Sequence, residues 1–129
     1  ASDVYKRQIL KRGYYKMISQ YWIGQIPARP LSIVVKNQDG SDFNLSAYTT
    51  INVKMLDPDN NEVSLSGATV DTNAKQFGQI RFIFPTDRSL FEKRGDYILQ
   101  LELLGSDRLD YTTVHTLRVR ELGKVIRNV

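Results

Sequence analysis

Gly95-Asp96-Tyr97-Ile98-Leu99-Gln100-Leu101-Glu102-Leu103-Leu104 is the stretch whose pattern decides the fold. Tyr97, Leu99, Leu101 and Leu103 recur at every second position. Successive side chains of a strand point to opposite faces, so this period of two puts all four on one apolar face. Downstream, Gly105-Ser106-Asp107 supplies turn residues and predicts a last strand over residues 109–121, with Tyr111, Thr113, His115, Leu117 and Val119 sharing a face. Upstream, Ile80, Phe82 and Phe84 form a second inward row that Pro85 ends. Between the two, Thr86 or Asp87 stands where a helix N-cap would, and residues 86–92 predict a single helical turn crossing from one sheet to the other.

The same alternation continues towards the N-terminus. Ile51, Val53 and Met55 make a row closed by Asp57-Pro58-Asp59-Asn60-Asn61, whose proline and Asp/Asn residues suit a tight turn. Residues 62–65 read as the returning hairpin arm, and Val70 as a short strand before a loop over residues 71–78. Leu31, Ile33 and Val35 are the first inward row, followed by a turn at Asp39-Gly40 and by Phe43 and Leu45. Seven or so short strands, with no helical pattern of 10–15 residues between them, predict an all-β Greek-key sandwich occupying residues 31–122, with a tail over residues 123–129.

Composition agrees with one such domain. The chain has 129 residues, 41% hydrophobic and 25% charged, which is ordinary for a globular unit. No run approaches the roughly 18–20 apolar residues of a membrane-crossing helix. There is no cysteine, so packing alone must hold the two sheets together. The chain starts at Ala1 without an apolar leader, and synthesis in the cytoplasm is expected.

Charge is unevenly distributed. Of a net +4, residues 1–30 carry Lys6, Arg7, Lys11, Arg12, Lys16 and Arg29 against Asp3, or +5, leaving the remainder near −1. Pro27-Ala28-Arg29-Pro30 breaks the chain between this basic segment and the β region. Residues 1–30 therefore read as an arm and linker, for which a short helix and an extended conformation fit equally well. Residues 2–8, SDVYKRQ, resemble a string produced by translated sequencing-adapter DNA, so residues 1–8 carry little functional weight. The large groups of Tyr21-Trp22-Ile23 must be buried somewhere.

A search for chemistry returns little. His115 is the single histidine, and with no cysteine a zinc or iron site has too few ligands. A lone histidine inside a strand pattern reads as a packed residue. Asp57-x-Asp59 with Glu62 superficially resembles a calcium loop, yet it lacks the central glycine and the distal bidentate glutamate, and an ordinary turn fits better. No glycine-flanked serine forms a nucleophile elbow, and no phosphate-binding loop or dinucleotide fingerprint is present. The expectation is a non-enzymatic protein with no catalytic residue, cofactor, metal or small-molecule substrate. Lys11-Arg12-Gly13-Tyr14-Tyr15-Lys16 would suit phosphates and stacked bases, but without a basic face on the body it suits a protein groove better. Tyr14, Tyr15, Tyr21, Trp22 and Arg29 are the candidate partner-binding residues, being the types that anchor interfaces.

Five segments in order, YWIGQIPARPLSIVV, DGSDFNLSAYTTINVKMLDPDNN, FGQIRFIFP, RGDYILQLEL and HTLRVRELG, resemble the N-terminal immunoglobulin-like domain of phage baseplate upper proteins and related minor tail proteins of phages of Gram-positive bacteria. The resemblance spans residues 21–124. It implies an immunoglobulin-like sandwich of about seven strands and a structural part of the virion tail. It also implies docking to other tail or baseplate proteins such as the distal tail protein, in homo-oligomeric arrays, with no role at a membrane. The long helical and receptor-binding continuation of many members is not present in this sequence. The alternative is a carbohydrate- or cell-surface-binding sandwich used in adhesion. That would require exposed aromatics, for which Tyr48 and Tyr111 are the candidates, and a nucleic-acid role for the arm ranks third.

Overall fold

In a computed structural model, which describes residues 18–112 and 115–121, the alternating apolar rows that begin at Leu31, Ile51, Ile80 and Tyr97 lie on strands facing one interior. The strands are β1 (Ile18–Trp22), β2 (Leu31–Val34), β3 (Thr50–Leu56), β4 (Thr69–Asp71), β5 (Gln79–Ile83), β6 (Gly95–Leu104), β7 (Leu109–Tyr111) and β8 (His115–Arg120). One sheet has the order β1-β8-β6-β3, with β7 also on β6, and the other has the order β2-β5-β4. The chain changes sheet between β1 and β2, between β2 and β3, between β3 and β4, and between β5 and β6. These crossings make the all-β Greek-key sandwich of immunoglobulin type, with β2-β5-β4 facing β3-β6-β8.

The core is formed by the predicted rows. Tyr97, Leu99, Leu101 and Leu103 of β6 and Leu117 and Val119 of β8 meet Leu31 and Ile33 of β2 and Ile80 and Phe82 of β5, all buried. Phe84, Phe91 and Tyr97 pack edge to face or tilted with ring centroids 5.5–5.8 Å apart, closing one end. Tyr97 also fixes the crossing from β5 to β6, because its phenolic oxygen accepts the backbone N–H groups of Glu92 and Lys93, each at 3.1 Å. It is the tyrosine-corner device of such sandwiches, here joining two orphan donors to a buried ring.

Four local expectations are corrected. Residues 86–92 form no helical turn. Their N–H groups are taken instead by the Ser89 hydroxyl, which accepts from Phe91 at 3.1 Å, and by Tyr97, while Arg88 donates across to the carbonyls of Ser64 and Ser66 at 2.8 Å. The helical turn lies instead at Lys75–Phe77, a 3-10 turn ended by Gly78 at φ 73°. Residues 62–65 do not return as a strand and make one bridge, Leu56 to Glu62.

The predicted last strand is broken. Glu102 pairs with Tyr111 and Leu99 with His115, so three steps along β6 match four along β7 and β8. One extra residue between Tyr111 and His115 is a bulge, and a one-residue slip sends side chains to opposite faces. Tyr111 therefore points outward, 56% exposed, while His115 points inward. Thr112 secures the break: its hydroxyl accepts the Leu101 N–H at 3.1 Å and its carbonyl accepts from Gln100 Nε2 at 2.6 Å.

Sheet membership begins upstream of the Pro27–Pro30 boundary. Ile18–Trp22, read as part of the arm, is extended and pairs in parallel with β8 from Ile18↔Thr116 to Trp22↔Arg120. The segment is held because Tyr21 turns inward and stacks on Phe91 at 4.7 Å, with Phe84 edge-on at 5.5 Å.

Candidate docking corner

β1 ends in a tight corner that presents Trp22. Gln25 N–H donates to the Trp22 carbonyl and the Gln25 side-chain oxygen accepts from Trp22 N–H, both at 3.0 Å. Gly24, at φ 80°, donates to the Phe91 carbonyl at 2.8 Å, a conformation that glycine adopts without strain. Ser89 Oγ donates to the Gln25 carbonyl at 2.7 Å, and Ile23 N–H to the Arg120 carbonyl at 3.0 Å. The corner is thus tied to the 89–91 loop and to the end of β8. Two large apolar side chains stay out of the core on this fixed backbone: Trp22 is 38% exposed and Ile26 45%. Arg120, opposite Trp22 in the β1–β8 register, and Arg29 beyond Pro27 are exposed as well.

Of the five predicted partner-binding residues, Tyr14 and Tyr15 lie outside the described residues. Tyr21 is half-buried against the aromatic cluster, which also pushes its phenol pKa up. Trp22 and Arg29 are exposed. Ile26 and Arg120 join the surface without having been singled out; the signal for Ile26 was present, an isoleucine between Gln25 and Pro27 with no alternating partner.

The other polar constellations are occupied within the fold. Lys93 Nζ lies 3.0 Å from Asp57 Oδ2 and 2.9 Å from Asp59 Oδ2, an ammonium between the two carboxylates that resembled a calcium loop. Asp57 Oδ1 meanwhile accepts the backbone N–H groups of Asn61 and Asp59, and the Asn61 bond leads in holding its carboxyl below the usual range. Among the described residues no group of three or more His, Asp or Glu is placed to hold a metal. Tyr48 is buried, 4% exposed, and donates to Asp110; that bond, with burial, pushes its pKa up. Tyr111, the other candidate for a sugar platform, is exposed and donates to Glu102, which also accepts from Asn52 at 3.0 Å.

His115 is 4% exposed, with Nε2 3.1 Å from Ser19 Oγ, and so links β1 to β8 from the inside. Burial lowers its pKa. The folded state therefore binds the proton less readily than the unfolded chain. Stability is complete above the unfolded value of about 6.5 and is lost as pH falls below it, by at most about 1.4 kcal/mol per pH unit. Asp39, Asp57 and Glu102, whose pKa values are lowered mainly by hydrogen bonds from Ser41, Asn61 and Asn52, weaken the fold only at more acid pH. Urea midpoints should thus fall between pH 7 and pH 5 in the wild type and stay nearly level in H115Q. An equal fall in both would remove the histidine from the account.

Comparison of the chain with protein-family models, with curated proteins and with solved structures returned no match.

Proposed function

We propose that this chain is a structural module of a phage or prophage tail: a non-catalytic sandwich that docks to a tail-tip hub, such as a distal tail protein, through the corner bearing Trp22, Ile26, Arg29 and Arg120. Made in the host cytoplasm, it would be carried in the virion in several copies. The observation that carries this reading is the exposure of Trp22 and Ile26 on a backbone pinned by five hydrogen bonds to the core and to itself. A rigid corner presenting a tryptophan, an isoleucine and arginines loses little entropy on association and offers the side chains that dominate interfaces. The ordered likeness of the five sequence segments to baseplate upper proteins supports a tail-tip protein as the class of partner.

The test is to look for tail genes beside this one and, where a distal tail protein is encoded there, to co-express the two and follow the mixture by size-exclusion chromatography. The wild type should co-elute, and a W22A/R29A double variant should lose at least about tenfold in affinity, as two interface anchors would. Co-elution unchanged in that variant would sink the corner, and absence of any tail genes nearby would sink the class. One observation favours the adhesion alternative: Tyr111, an exposed ring anchored by a carboxylate. Glycan-array binding that disappears in Y111A would put that reading first.

A further inference from the structure

β3 is the last strand of its sheet, and its outer edge is only half covered. Val63 N–H donates to the Met55 carbonyl at 2.9 Å from the side away from β6, and the cover stops with the bridge from Leu56 to Glu62. Backbone groups alternate sides along a strand, so Ile51 and Val53 turn their N–H and C=O to the same open side as Met55. Among the described residues no other backbone group meets them. Their side chains face the interior and line a groove of about 540 Å³ between the two sheets, whose far wall is Val63, Leu65, Ala68 and Val70, all half-buried. Apolar side chains beneath unpaired ladder groups are the features that accept an added strand.

We propose that the strand is supplied by a second copy of this chain, β3 against β3, antiparallel and centred on Asn52. In that register Ile51 exchanges both hydrogen bonds with the partner's Val53, and Val53 with the partner's Ile51. The same four side chains extend the apolar wall of both grooves. On the outer face Asn52 meets its own copy and Lys54 meets Thr50, so the one charge on the strand never faces its like. A register centred on Val53 would need the Met55 carbonyl, which Val63 already occupies, and one centred on Ile51 would need the Thr49 N–H, which already donates to the Leu104 carbonyl. In the register centred on Asn52 the open N–H and C=O groups of Ile51 and Val53 on each copy satisfy one another with none left over and no like charges facing, which marks a two-fold contact and not a foreign strand. With four ladder bonds it falls below the size of a permanent interface and forms at high local concentration.

Sedimentation velocity from about 10 µM to about 1 mM reads the association directly. The wild type should shift from monomer to dimer across that range. V53P removes an N–H that β6 does not use, which edge strands tolerate, and N52K sets two lysines together at the two-fold while giving Glu102 a cation. Each should raise the dissociation constant by at least about tenfold with the far-UV spectrum unchanged. A wild type that stays monomeric throughout, or an N52K variant that dimerises as well as the wild type, overturns the proposal. It stands apart from the docking corner: W22A/R29A should dimerise normally, so failure of one leaves the other intact.

Discussion

Replacing Gly78 by alanine is expected to cost the fold about 3–5 kcal/mol, much of the stability of a domain this size. Gly78 ends the 3-10 turn at φ 73°, where a side chain is already strained by about 1–2 kcal/mol. The larger part is steric. A Cβ there would lie 2.5 Å from the Val35 carbonyl oxygen, 2.8 Å from that of Phe43 and 3.1 Å from the Phe43 nitrogen, all backbone atoms that no rotamer change can move. Two of these atoms form a bond, Phe43 N–H to the Val35 carbonyl at 3.2 Å, beside the bond from Val35 N–H to the Gly78 carbonyl at 2.7 Å. Making room for a methyl group means breaking them. Gly40 is the control, since its φ is 89° and nothing lies within 4 Å of its Cβ position. G40A should therefore show the backbone cost alone. Urea unfolding of the two variants separates the effects, and a G78A loss no greater than that of G40A would remove the packing explanation.

What the sequence discloses and what it hides divide along physical lines. The rows of β2, β3, β5 and β6 were legible because their inward positions are unbroken Leu, Ile, Val, Met, Phe or Tyr at period two. The turn at Asp57–Asn61 was legible because proline and Asp/Asn leave the backbone few choices. β1 was hidden. Its inward residues are Ser19 and Tyr21, so no apolar alternation shows, and its place is fixed by Phe84, Phe91 and His115 from distant parts of the chain. The bulge after Tyr111 was hidden for a related reason: the Thr112 hydroxyl replaces a ladder carbonyl, and nothing in the residue type announces this. The turn expected over residues 86–92 failed because Ser89 and Tyr97 take the N–H groups that a helical turn would have capped. For the docking corner, composition pointed to Trp22 and Arg29 but could not separate Tyr21, which packs inward, from its neighbour on the same strand.

That last point governs how the arm can be tested by deletion. A chain beginning at Pro27 is expected to unfold about 15–30 °C below one beginning at Ile18, because it loses a strand of the sandwich and not a loose extension. The deletion strips β8 of its parallel partner from Ile18↔Thr116 to Trp22↔Arg120. It uncovers Phe91 and Phe84 by removing the stacked Tyr21 ring, and leaves the buried His115 without Ser19. Removing a large packed aromatic costs about 3 kcal/mol, and a few ladder bonds at about 1 kcal/mol each bring the loss beyond 4 kcal/mol. Near-UV circular dichroism should show the aromatic cluster loosening before the far-UV signal is lost. Loss of hub binding by such a deletion would therefore report an unfolded body as readily as a missing contact. Substitutions at Trp22 and Arg29, which leave Tyr21 and the β1–β8 ladder in place, are what distinguish docking from folding. Equal unfolding midpoints, within about 3 °C, for the chains beginning at Ile18 and Pro27 would show that β1 adds little to the sandwich and would return this segment to the role of a detachable arm.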